Sequence, residues 1–206
     1  MNRRNFLAAS AAAGLGHLLR AQCGPMECRA QINFPSVALA ATLQNCPEWC
    51  WAASISMVFK FFGHPVAQER IVMETYGQLA CWPAFQYQIV SANLNRCWVD
   101  DYGVRFRSSL TAAYDAQAGV NEMNNAIIIN ELLNQRPVLY GNTHHAMVIF
   151  GANYAPSPAG PVINEVDVMD PWPPSQRLHP LSRPQLFPVQ VGGQMAYLAS
   201  IAVSPC

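Results

Sequence analysis

The chain of 206 residues contains a single lysine, Lys60, and only 12% of its residues are charged. No basic cluster occurs, so nothing offers the electrostatic footprint that a nucleic-acid backbone requires. Long apolar runs are also missing. The stretch Ala8 to Leu19 falls short of the ~20 residues that span a bilayer as a helix. Cysteine and histidine pairs at two-residue spacing are absent, which removes the common zinc frameworks. There is no internal repeat and no low-complexity segment, so solenoid and fibrous architectures are excluded.

What is present at the N-terminus is Arg3-Arg4-Asn5-Phe6-Leu7, followed by the small apolar run to Leu19. A positive head, a short apolar core and Ala21 before Gln22 describe an export signal over residues 1–21, of a type that resembles twin-arginine leaders. Cys23 raises lipid attachment, but Arg20-Ala21-Gln22 is a poor small-residue box for it. The full chain balances twelve basic against twelve acidic residues. Arg3, Arg4 and Arg20 would leave with the leader and every acid would stay, so the remainder carries about three negative charges. That remainder, about 185 residues, suffices for one domain with a sizeable core. It is expected as an N-terminal arm or first strand over 22–42 and a single domain over 43–206. Periplasm or secretion is the implied destination.

Seven cysteines follow the leader: Cys23, Cys28, Cys46, Cys50, Cys81, Cys97 and Cys206. In an exported protein six of them can form three disulfides in fifteen ways, leaving one free thiol.

The chain is organised around Gln44-Asn45-Cys46-Pro47-Glu48-Trp49-Cys50-Trp51-Ala52-Ala53-Ser54. From Cys50 to Phe62 the only charge is Lys60, and Gly63 with Pro65 closes the run, so the segment predicts a helix buried nearly all round. Cys50 stands in its first turn, where free N–H groups and the positive helix end favour a thiolate. Gln44 carries an amide that can stand beside the Cys50 backbone N–H as a two-donor oxyanion hole. Far downstream, His144-His145-Ala146-Met147-Val148-Ile149-Phe150 places an imidazole at the head of an apolar strand, and Val166-Asp167-Val168-Met169-Asp170-Pro171-Trp172 ends another on a carboxylate.

Gln-x₅-Cys-Trp with Ala-Ala following, then His-Ala-Met-Val-Ile, then Asp-Pro-Trp, resembles the papain-like cysteine peptidases. It is most similar to their bacterial branch of avirulence-effector proteases, staphopains and bacteriocin-leader peptidases. The resemblance runs from about Leu43 to the C-terminus. It implies an α+β fold in which the nucleophile helix packs against an antiparallel, barrel-like sheet with the site in the groove between them. It implies Cys50 as nucleophile, His145 as base, Asp170 as the acceptor that orients His145, and Gln44 as oxyanion donor. It also implies that Cys46 pairs with Cys81 or Cys97. His144 is the rival base, but Met147 and Ile149 share the face of His145. Asp167 is the rival acceptor, and three positions along a strand it would face the other way. Trp172 either shields the His145–Asp170 contact or packs in the core, and Trp49 and Trp51 are read as packing.

The remaining pattern gives helices at Pro65–Tyr76, Tyr87–Leu94 and Asn124–Gln135, and strands from Val138, His145, Ile163 and Gln194 onward, with Pro-rich loops between. Asn95–Ala118 has no decisive period, and within it Trp98-Val99 and Tyr102–Phe106 read as an irregular wall of the cleft. The expected activity is endopeptidase cleavage through a thioester, without cofactor or metal, by a monomer acting on protein or peptide away from nucleic acid and, once mature, from membrane. Two alternatives keep the fold: a transamidase, deamidase or ligase on the same residues, or a non-catalytic toxin or binding module.

Overall fold

The computed structural model describes residues 21–84, 87–174 and 177–206. The expected export signal therefore lies outside the described residues, apart from Ala21. Among those described, no helix is long and apolar enough to cross a membrane.

The central helix, α2 (Cys50–Phe61), follows from its sequence. Every residue from Trp51 to Phe59 is buried, and Lys60 is the first to reach solvent. Side chains such as Ile55, Met57 and Phe59 are fully enclosed, each contributing roughly 1.5–3 kcal/mol of apolar burial. Gly63, at φ 82°, turns the chain away just past its end. Around α2 stand α1 (Phe34–Ala40), α3 (Gln68–Tyr76) and α4 (Tyr87–Leu94). α3 starts at Gln68 rather than Pro65 because Ala67 is still extended, and it stops at Gly77 in the left-handed region. α5 (Asn125–Leu133) begins where the Asn124 side chain accepts from the Ile127 N–H.

Among the described residues, ten strands form one antiparallel sheet: β1 (Gln22–Cys23), β2 (Cys28–Gln31), β3 (Cys97–Val99), β4 (Arg105–Asp115), β5 (Val120–Asn121), β6 (Val138–Asn142), β7 (Ala146–Ala155), β8 (Val162–Asp170), β9 (Arg177–Pro180) and β10 (Met195–Pro205). The main path runs β1-β2-β7-β6-β10-β4-β3. β2 and β6 share one edge of β7 by pairing with its two halves, β8 takes the other edge, and β9 extends β8. The segment 22–42 thus supplies β1, β2 and α1 and joins the same sheet. α2 lies against β7 and β6, so the architecture is α+β, helices over an antiparallel sheet.

One expectation is corrected. Trp98-Val99 and the end of the stretch 102–106 belong to paired strands and not to an irregular wall: β3 pairs with β4, and β4 runs on to Asp115 against β10. The alternation of β4 is blurred because the polar Ser108 is buried and Ala112 to Asp115 are buried in succession, and because the ladder shifts register between Ser200 and Ile201. Pairing with β10 rather than local pattern stabilises it. Similarly, β9 interrupts the Pro-rich stretch after Pro171.

The disulfides are Cys23–Cys28, Cys46–Cys81 and Cys97–Cys206. Cys50 is the free cysteine.

Candidate active site

Cys50 is the first residue of α2, and the preceding Trp49 provides no side-chain cap. The backbone N–H groups of the first turn are therefore gathered at the sulfur's end of the helix. The loop before it is braced on both sides. The disulfide from Cys46 reaches Cys81, and the residues flanking Cys81 accept from the two indoles that flank Cys50: Trp49 Nε1 donates to Ala80 O (2.9 Å) and Trp51 Nε1 to Trp82 O (3.2 Å). The tryptophans thus fasten the 80–82 strap across the start of α2 as well as filling the core.

The sheet brings the second group. β7 and β8 are antiparallel with Val148 opposite Met169, so one step further Asp170 faces Met147. His145, two residues before Met147, leans over the same face. His145 Nε2 donates to Asp170 Oδ1 at 2.6 Å, and Cys50 lines the same cleft as the His145 ring. With Nε2 taken by Asp170, Nδ1 is the nitrogen left for the sulfur. Burial of the ring works against its charge, but the bonds to Asp170 and Cys50 outweigh it and lift the His145 pKa to about 9. Asp170 moves the other way. Burial would raise it, yet His145, the Trp172 N–H and His179 together hold it at about 2.

Several supports were not legible as motifs. Asn142 Oδ1 accepts from the N–H groups of His144 (2.8 Å) and His145 (2.7 Å), and the Asn142 N–H donates to His145 O (2.9 Å). This turn fixes the backbone from which the imidazole projects. Its only sequence signal was the Gly-Asn-Thr ahead of the histidines. Tyr87, on α4, donates its hydroxyl to Asn142 O and stacks on Tyr197. Burial, with the charge of Cys50 adding to it, pushes the Tyr87 phenol upward, so it stays a donor. Gly141 is required here because a Cβ would collide with the Tyr87 ring. Trp172 meets the His145 ring edge-on, centroids 5.8 Å apart, and its N–H donates to Asp170 Oδ1 (2.9 Å). It is 46% exposed, so it is a partial cover rather than a core residue.

The rivals stand apart. His144 is exposed on the rim of the cleft. Asp167 faces away and pairs with Arg29 of β2. Gln44 is buried, and its backbone N–H donates to Pro171 O (2.9 Å), which ties it to the turn after Asp170. Its amide N–H₂ donates to Cys46 O (3.0 Å) and Pro47 O (2.8 Å). Gln44 Oε1 is buried with no partner among the described residues. The amide therefore braces the loop before Cys50 in this structure. In front of Cys50 and His145 opens a cleft of about 450 Å³, with Glu48, Tyr87, Gln117 and His144 among its polar lining and Trp51, Pro83, Ala84 and Val189 among its apolar lining.

A sulfur, an imidazole and a carboxylate in a row at the edge of a cleft can generate a nucleophile, take up its proton and stabilise the resulting cation. No curated protein and no solved structure matches the chain significantly. The family model described as papain-like cysteine protease AvrRpt2 matches residues 32–183, a span that includes Gln44, Cys50, His145 and Asp170. The protein belongs to the papain-like cysteine protease AvrRpt2 family and is, at that level, a cysteine peptidase.

Proposed function

We propose that the protein is an exported endopeptidase that cleaves protein or peptide chains with a Cys50–His145–Asp170 triad. The observation that carries this reading is the 2.6 Å contact of His145 Nε2 with Asp170 Oδ1 beside a cleft that Cys50, the free cysteine, also lines. In the forward reaction the Cys50 thiolate attacks the carbonyl carbon, and the carbonyl π electrons move to oxygen. The His145 imidazolium then gives its proton to the departing amine as the C–N bond breaks, leaving a thioester. Water attacks that thioester with His145 taking its proton, the Cys50 sulfur leaves as the thiolate, the acid is released and the thiolate–imidazolium pair is restored. Asp170 holds the ring and stabilises its charge.

The oxyanion of each tetrahedral intermediate forms beside the Cys50 N–H. Gln44 serves as second donor by turning one amide hydrogen from the Cys46 or Pro47 carbonyl toward it. The nucleophile then sits on the buried helix and its base on the sheet, the papain-like division across a cleft. Residues 1–21 act as the leader, 22–42 as an arm incorporated in the sheet, and 43–206 as the catalytic domain of a monomer. Three disulfides suit an oxidising compartment.

The test is labelling of the oxidised protein with a haloacetamide, followed by a peptide library read by mass. Rapid modification of Cys50 that slows in His145→Ala, with products cut at internal bonds, is the expected result. Products joined to an added amine would instead assign acyl transfer. Modification at the rate of a free thiol in both proteins would refute the triad.

A further inference from the structure

β9 carries a histidine that no motif singled out. His179 stands opposite Val168 of β8, and its Nε2 lies 3.3 Å from Asp170 Oδ2. That is the oxygen which His145 and the Trp172 N–H leave free, since both of those bind Oδ1. The other ring nitrogen of His179, Nδ1, lies 2.9 Å from the carbonyl oxygen of Pro180. A carbonyl oxygen only accepts, so Nδ1 carries a hydrogen. An ionised carboxylate also only accepts, so the Nε2 contact is a hydrogen bond only when that nitrogen carries one as well. Both bonds exist together in the imidazolium alone, and a neutral ring keeps one of them.

We propose that His179 is a positioning residue of the site: its protonated ring clamps the second oxygen of Asp170, and loss of the Nε2 proton releases it. The inference rests on the triad reading above. Asp170 is the charged group facing His179 from β8 among the described side chains, with His145 behind it. Glu165 and Asp167 alternate to the opposite face, where they engage Asn153 and Arg29. The charge of His179 is therefore felt first by Asp170 and through it by His145. When His179 is protonated, the carboxylate is held at both oxygens and its charge is divided between two rings. When Nε2 carries no hydrogen, Oδ2 loses this contact and the carboxylate is held at Oδ1 alone, by His145 and the Trp172 N–H. The side chain is 35% exposed, so solvent reaches the ring.

The experiment measures the pH dependence of Cys50 haloacetamide labelling, and of kcat and KM on a cleaved peptide, in four proteins: native, His179→Ala, His179→Gln and His145→Ala. Glutamine supplies an amide donor that does not titrate. The expected result for His179→Ala is a several-fold loss in labelling and kcat with KM little changed. His179→Gln should recover most of the rate yet lack a pH step present in the native protein. Native profiles in both His179 variants would overturn the inference and leave the triad standing. Labelling of the native protein that His145→Ala leaves unaltered would overturn the triad, and the inference with it.

Discussion

His145 Nε2 and Asp170 Oδ1 are 2.6 Å apart although 25 residues separate them in the chain. The contact is made by an antiparallel ladder: the first residues of β7 and the last of β8 meet at one end of the sheet, the end over which α2 begins. The position of Asp170 therefore depends on strand register. Sliding β8 by one residue would turn Met169 toward His145 and Asp170 away.

Asp170 and Asp167 should thus respond differently to substitution. Asp170→Ala leaves the imidazole without its acceptor and should lower kcat by about 10²–10⁴, the usual range for acid–base assistance. Asp167→Ala removes the partly exposed pair with Arg29, so it should cost about 1 kcal/mol of stability and leave kcat near native. Steady-state kinetics beside urea unfolding separates the two, and equal losses of kcat would show that the register argument is wrong.

The pH dependence follows from the two shifted groups. His145 is raised from 6.5 to about 9, so the stability it contributes is whole below 6.5 and is lost as pH rises through 9. Asp170 is lowered from 3.8 to about 2, so its contribution is whole above 3.8 and is lost as pH falls through 2. The pair is fully effective between these limits. Activity should therefore fall on the alkaline side near pH 9, and that limb should move toward 6.5 in Asp170→Asn. Profiles of kcat/KM from pH 5 to 10 in both proteins check this, and an unmoved limb counts against the pair.

Gln44 bridges structure and chemistry. Gln44→Ala should reduce kcat by about 10²–10³ if the amide serves the oxyanion. It also removes the donors to Cys46 O and Pro47 O, so stability should fall as well. Gln44→Glu tests the two roles together, because a carboxylate cannot donate to either the carbonyls or the oxyanion. A variant that loses stability while keeping kcat would restrict Gln44 to bracing the loop.

The Cys46–Cys81 disulfide closes a loop with a sequence separation of 35. Replacing both cysteines with alanine should cost about 2–4 kcal/mol, mainly by freeing the unfolded chain. The Trp51→Phe change, which removes the bond to Trp82 O, should cost about 1 kcal/mol. Denaturant midpoints of the two variants rank these effects, and a larger loss in Trp51→Phe would mean that the strap is held chiefly by the indole.

Asn142 holds the His145 backbone from behind. Asn142→Ala removes the acceptor of two N–H groups and should lower kcat more than it raises KM, because the imidazole loses its fixed origin while the cleft is little changed. A change confined to KM would place Asn142 in substrate binding.

The amino-acid sequence determined α2, from the unbroken apolar run between Cys50 and Phe62, the stop of α3 at Gly77, and the existence of α4 and α5 from their apolar spacing. It also marked which cysteine, histidine and carboxylate to consider. Local pattern carries that much because helix burial and capping are decided by neighbours a few residues apart. The rest was settled by tertiary structure: β4 exists because β10 pairs with it, and Asp167 finds its ion-pair partner because Arg29 arrives from β2. His179 reaches the carboxylate only because β9 folds back along β8. Strand pairing joins residues by register rather than by spacing, so contacts of that kind leave no periodic trace along the chain.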